Sequence, residues 1–92
     1  MAITLDEMKN YLRVDYPEDD ALIESLISSA GQLCMDVARA TDKGEFMEKP
    51  VSKIAVMYAV AYLYEHREEA DHHELMLTLR AMLSGIREGE FF

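Results

Sequence analysis

Tryptophan is absent, cysteine occurs once, and only two prolines and four glycines interrupt 92 residues. The lone Cys34 excludes an intrachain disulfide and fits a reducing compartment. Long hydrophobic runs are missing too. The longest, residues 54–64, falls far short of the roughly 20 residues that cross a bilayer. Residues 1–12 lack the apolar core of a signal peptide. A soluble chain made in cytoplasm, with no membrane partner, is expected. Basic residues are scarce, nine against eighteen acidic, for a formal net charge of −9. That balance repels phosphates and argues against ordinary nucleic-acid binding. No helical segment carries the basic face of a helix-turn-helix reader.

Motifs for chemistry are also lacking. There is no glycine-rich phosphate loop and no zinc signature. No nucleophile–base arrangement stands out, so neither catalysis nor a cofactor is expected. His66, His72 and His73, among Glu65, Glu69, Asp71 and Glu74, have the wrong spacing for a helical ligand pair and read as solvated linker residues. Cys34 continues an apolar stripe, and a buried structural cysteine is unreactive.

What is present is hydrophobic patterning. Half the residues are hydrophobic, which is too many for disorder. One domain over residues 1–92 is expected. A chain this short buries only about 60–65% of its unfolded surface, so it folds marginally and gains from association. The seven methionines read chiefly as core filler, with adaptable partner surfaces as the other use. The acidic clusters at 15–24 and 65–74 read as solvated faces.

The pattern predicts an all-α fold: a small four-helix bundle-like domain with a long second helix and a central apolar third. Thr4-Leu5-Asp6-Glu7 fits a capping box, with Ile3 and Met8 placed as a hydrophobic staple. Leu5, Met8, Tyr11 and Leu12 share the first helix's face, and Arg13 near its end favours the dipole. Asp15 or Tyr16 is expected to cap the second helix, with Pro17 in its first turn. Leu22, Ile23, Leu26, Ile27, Ala30, Leu33, Cys34, Val37 and Ala38 form its buried stripe to about Ala40, with Leu26 near the centre. Gly31, inside it, reads as a close helix approach or a mild weak point. Residues 41–49 read as a loop. Pro50 opens the third helix, apolar almost all round from Ile54 to Tyr64, as suits a central or subunit-covered helix. Tyr58, Tyr62 and Tyr64 suit core or interface packing. Leu75, Leu79, Met82, Leu83 and Ile86 form a fourth stripe, and Gly85 weakens its last turn.

Four aromatic or thioether side chains fall outside every stripe. Phe46 and Met47 lie mid-loop, and Phe91 and Phe92 end the 87–92 tail. Such positions suggest contacts with a neighbouring subunit rather than within the fold, since aromatics dominate interface anchors. A frayed tail is the plainer reading of Phe91 and Phe92.

Together these segments resemble a known family. Ile3-Thr4-Leu5-Asp6-Glu7-Met8-Lys9, then Tyr11-Leu12-Arg13-Val14-Asp15, are similar to the opening of phage head–tail connector (head-completion, DNA-packaging) proteins. Asp19-Asp20-Ala21-Leu22-Ile23-Glu24-Ser25-Leu26-Ile27 is similar to their second helix. Pro50, Ala59, Leu63 and Tyr64-Glu65-His66-Arg67-Glu68 resemble their third, where His66 replaces a usual Asn. Leu79, Leu83, Ile86 and Arg87 resemble the closing helix. Tyr11, Leu12, Arg13, Asp15, Asp20, Tyr64, Glu65 and Arg67 carry the likeness best. Two departures are a 41–49 loop without a Thr-Gly-Arg-like start and a fourth helix without its preceding Pro.

The resemblance implies a structural, non-enzymatic subunit of phage or prophage virions. It implies a homo-oligomeric ring of about a dozen copies beneath the portal protein, closed by heterologous contacts. The ring would extend the DNA channel and offer a platform to the tail or to a stopper or adaptor protein. Its place would be the virion neck, after assembly in the host bacterial cytoplasm. DNA would pass without specific binding, which an acidic wall favours. The alternative is a small acidic regulator or inhibitor, DNA-mimic-like in charge, that binds a basic partner.

Overall fold

The computed structural model describes residues 3–68 and 71–86. These form α1 (Leu5–Leu12), α2 (Asp20–Ala38), α3 (Lys43–Met47), α4 (Pro50–Glu65) and α5 (His73–Leu83), followed by a 3₁₀ turn, Ser84–Ile86. No strand occurs among the described residues. The all-α expectation holds, with one more helix than the periodicity predicted.

The first helix starts as its sequence dictates. The Thr4 hydroxyl accepts from the Glu7 N–H, and the Glu7 carboxylate accepts from the Thr4 N–H, each at 3.1 Å. Ile3 and Met8 are both buried in the same core. The helix stops at Leu12 because Arg13 turns left-handed, φ 62°. Its N–H bonds Asn10 O, and the Val14 N–H reaches back to Lys9 O. This is the Schellman pattern, usually built on glycine. Arg39, φ 59°, repeats it at the end of α2, with the Ala40 N–H on Met35 O. No glycine announces either stop, which is why the sequence places the end of α2 near Ala40 when Arg39 ends it at Ala38.

The start of α2 also differs from expectation. Neither Asp15 nor Tyr16 caps it; Asp19 occupies the N-cap position, and its side chain makes no capping bond. Pro17 sits in the turn before the helix, its carbonyl accepting from the Asp20 N–H at 3.1 Å. Within α2, Ile23, Ala30, Cys34, Met35, Val37 and Ala38 are buried. Leu26 is only half-buried. Gly31 is no close approach, since a Cβ there would meet nothing within 4 Å.

Residues 41–49 are not a plain loop. Asp42 caps α3, its carboxylate accepting from the Glu45 N–H at 3.1 Å. Five residues are too few to show a periodic stripe, so the element is silent in the pattern. It turns Phe46 and Met47 inward, where they are 2% and 8% exposed. The expectation that these two side chains lie outside the fold is therefore corrected: α3 packs on α4, and both join the core. Phe91 and Phe92 lie outside the described residues.

Pro50 opens α4 as expected. This helix touches α1, α2, α3 and α5 and is the centre of the molecule. Ser52, Ala55, Val56, Ala59 and Val60 are buried along it. The α5 stripe, Leu75, Leu79 and Leu83, is wholly buried on α2 and α4. Met8, Met35 and Met47 are buried, and Met57, Met76 and Met82 pack against the core, as filler should. Cys34 is buried, and desolvation pushes its thiol up to about 12, far from a reactive thiolate.

Two outcomes follow. Phe46→Ala should cost about 3–5 kcal/mol in chemical denaturation, as removal of a buried aromatic does. A melt like wild type would put Phe46 back outside the core. Gly31→Ala should raise stability by about 0.5–1 kcal/mol, because the helix gains propensity and the new methyl meets open space. A loss would mean that Gly31 needs its missing side chain.

Candidate assembly surface

With α4 central, its apolar circumference exceeds what four neighbours cover. Ile54 remains 60% exposed. Tyr58, Ala61 and Tyr62, one and two turns further on, are half-buried. Across from them lies the end of α1, where Tyr11 is 50% exposed. Between the two helices runs an open groove of about 590 Å³, lined by Tyr11, Leu12, Arg13, Tyr58, Ala61, Tyr62, Glu65 and His66. Arg13 and Glu65 are exposed, giving the groove both signs of charge over a tyrosine-rich floor.

Polar contacts fix the walls. Lys53 at the start of α4 donates to the second oxygen of Glu7 at 2.6 Å, so the residue that caps α1 also ties it to α4. The Lys53 ammonium and the Thr4 N–H hold the Glu7 carboxyl below its usual range. Lys9 reaches Asp20 at 2.7 Å and ties α1 to the head of α2. At the far end of α4, the Tyr64 hydroxyl donates to Asp19 at 2.5 Å, and Tyr16 donates to the Tyr64 oxygen at 3.1 Å. Asp19 thus gives its carboxylate to Tyr64 instead of to the helix cap. A phenolate beside that carboxylate is disfavoured, so the Tyr64 hydroxyl is pushed up to about 12, the Asp19 hydrogen bond first among the causes. The Arg67 guanidinium lies 4.7 Å from the Tyr64 ring centroid, a cation–π contact.

The motif residues therefore divide in two. Tyr11, Leu12, Arg13 and Glu65 meet at the groove. Asp20, Tyr64 and Arg67 work as fasteners through Lys9, Asp19 and the tyrosine ring. Asp15 is an exposed turn residue. The first acidic cluster is accordingly only partly a solvated face, since Asp19 and Asp20 both hold structural partners.

The histidines also depart from expectation. The His66 ring stacks on Tyr62 at 4.2 Å, and the His72 ring meets Tyr62 edge-on at 6.1 Å. His73 is exposed at the start of α5. Sequence reasoning missed Tyr58, Tyr62 and His66 as one surface, although their i, i+4, i+8 spacing was available. The partnership of Asp19 with Tyr64, forty-five residues apart, had no local signal.

Among the described residues, no group of three or more His, Cys, Asp or Glu residues is arranged to hold a metal ion. No helix among them is long and apolar enough to cross a membrane. The features that stand out are surface ones, in a small helical bundle with a tyrosine-lined groove and exposed apolar side chains. The chain matches the phage gp6-like head-tail connector protein family over residues 2–83 and belongs to that family. The match supports a head–tail connector role in a family that is structural rather than enzymatic. No curated protein and no solved structure matches it.

The Glu7 tie gives a pH test. A carboxyl depressed in the folded state contributes stability present above its unfolded value, 4.5, and lost as pH falls through the folded value. Glu7→Gln should melt below wild type at pH 7, and the gap should close as pH drops below 4.5. A gap unchanged into acid would mean that the carboxylate charge is not what holds α1.

Proposed function

We propose that this connector acts as one subunit of a closed homo-oligomeric ring beneath the portal protein, extending the DNA channel and offering a platform to tail or stopper proteins. Family membership over residues 2–83 is the observation that carries this reading. The exposed apolar rim of α4 supports it, because a helix apolar on nearly every face needs a further cover. About a dozen copies, matched to the portal, would close the ring through heterologous contacts.

The charge of −9 supports a passive channel wall. Duplex DNA should bind more weakly than the ~10⁻⁴–10⁻⁶ M of ordinary non-specific binders at physiological salt. Micromolar binding with a steep salt slope would contradict the wall. Sedimentation and native mass spectrometry of the full chain, alone and with portal, test the ring itself. Large closed species are expected; a chain that stays monomer or dimer in both and instead binds a basic protein one-to-one would favour the inhibitor alternative.

For the tail, Phe91 and Phe92 are the proposed anchors onto the portal or a neighbouring subunit. Deleting residues 87–92 should leave the melting temperature nearly unchanged and abolish ring formation or portal docking. A loss of several kcal/mol would instead assign the two phenylalanines to the bundle itself.

A further inference from the structure

A heterologous ring contact needs two different patches on each copy, one accepting and one inserting. The groove between α1 and α4 is the accepting shape. The inserting shape is on α5. Leu77 is 51% exposed there, one of four exposed large apolar side chains among the described residues. It projects from the face opposite the buried Leu75, Leu79 and Leu83 stripe. Glu74 and Arg80, three residues before and after Leu77, are exposed on that same side. No residue of α5 lines the groove, so the two surfaces are distinct within one copy.

Each surface carries one exposed acid and one exposed base, so their charges are complementary in sign. The groove offers an apolar floor of tyrosine and Ala61, with Arg13 and Glu65 exposed along it. The α5 ridge offers an apolar centre with Glu74 on one side and Arg80 on the other. We propose that the Glu74–Leu77–Arg80 ridge of one copy seats in the tyrosine groove of the next, with Glu74 facing Arg13 and Arg80 facing Glu65. Leu77 then covers a floor that the described residues leave half-exposed. Tyr11, Tyr58 and Tyr62 supply the large, rigid contact area that interface cores favour. One orientation satisfies both ion pairs and the reverse juxtaposes like charges, so the contact is directional. Directionality carries each copy's ridge to the next copy's groove.

This assignment rests on the ring reading above, and mixing experiments on the full chain separate the two. Leu77→Asp blocks the ridge, and Ala61→Arg blocks the groove; melting curves establish that each variant folds. Wild type should assemble in sedimentation velocity, and each blocked variant should assemble at least about tenfold more weakly. An equimolar mixture of the two should yield heterodimers and nothing larger, since only one intact ridge and one intact groove remain. Arg13→Glu should weaken assembly, and Arg13→Glu with Glu74→Arg in the same chain should restore it. Blocked variants that assemble like wild type, or a mixture in which each variant stays alone, overturn the ridge-and-groove contact while the ring survives. A wild-type chain that is monomeric at every concentration, with and without portal, overturns both.

Discussion

α4 presents more apolar surface than the other described helices cover, and the arrangement of the molecule follows from that. Water must be excluded from Ala55, Val56, Ala59 and Val60, and every other helix is positioned to do so. The buried side chains are small, which lets α2 lie close along α4 and bring Ile23, Ala30 and Cys34 into the same core. α5 closes another side with three leucines, and the five-residue α3 closes the base with Phe46 and Met47. Among the described residues, Ile54 stays exposed and Tyr58 and Tyr62 only half-buried.

The polar contacts matter through where they hold α1. An eight-residue helix has little intrinsic stability in water. Its capping box satisfies two backbone donors, and the same glutamate takes Lys53 from α4. Lys9 to Asp20 adds a tie to α2. These pairs are only partly buried, and ion pairs near the surface are individually weak, so their effect is chiefly on geometry. They set the distance between Tyr11 and the α4 tyrosines, and with it the width of the groove. Tyr64, Asp19 and Tyr16 fix the opposite end of α4 in the same manner. Sequence features that mark the family thus serve two ends, lining the groove and keeping its walls apart.

An acidic connector also suits its setting. In the proposed ring, like charge would keep passing DNA from adhering and would keep isolated subunits apart at low concentration. Association would then depend on surfaces where apolar area and paired charges outweigh the general repulsion. The proposed groove and α5 ridge carry both exposed apolar area and exposed charges of both signs.

Local rules were enough for much of this. The all-α class, the capped start of α1, Pro50 at the head of α4, the buried α2 stripe and the leucine seam of α5 were all legible, because backbone propensity and 3.6-residue periodicity act within a few residues. Residue order along those segments also carried the likeness to the connector family. Tertiary structure decided what no short window contains. Arg13 and Arg39 end helices in a conformation that glycine usually signals, because packing and the reaching-back N–H bonds outweigh propensity. Phe46 and Met47 entered the core because α3 folds onto α4, a contact that a loop-like sequence does not announce. Leu26 proved peripheral and Gly31 open, since periodicity tells which side faces inward but not how far a neighbour covers it. Tyr58, Tyr62 and Tyr11 became one surface only once α1 was tied beside α4, for a groove exists between elements and belongs to neither sequence segment alone.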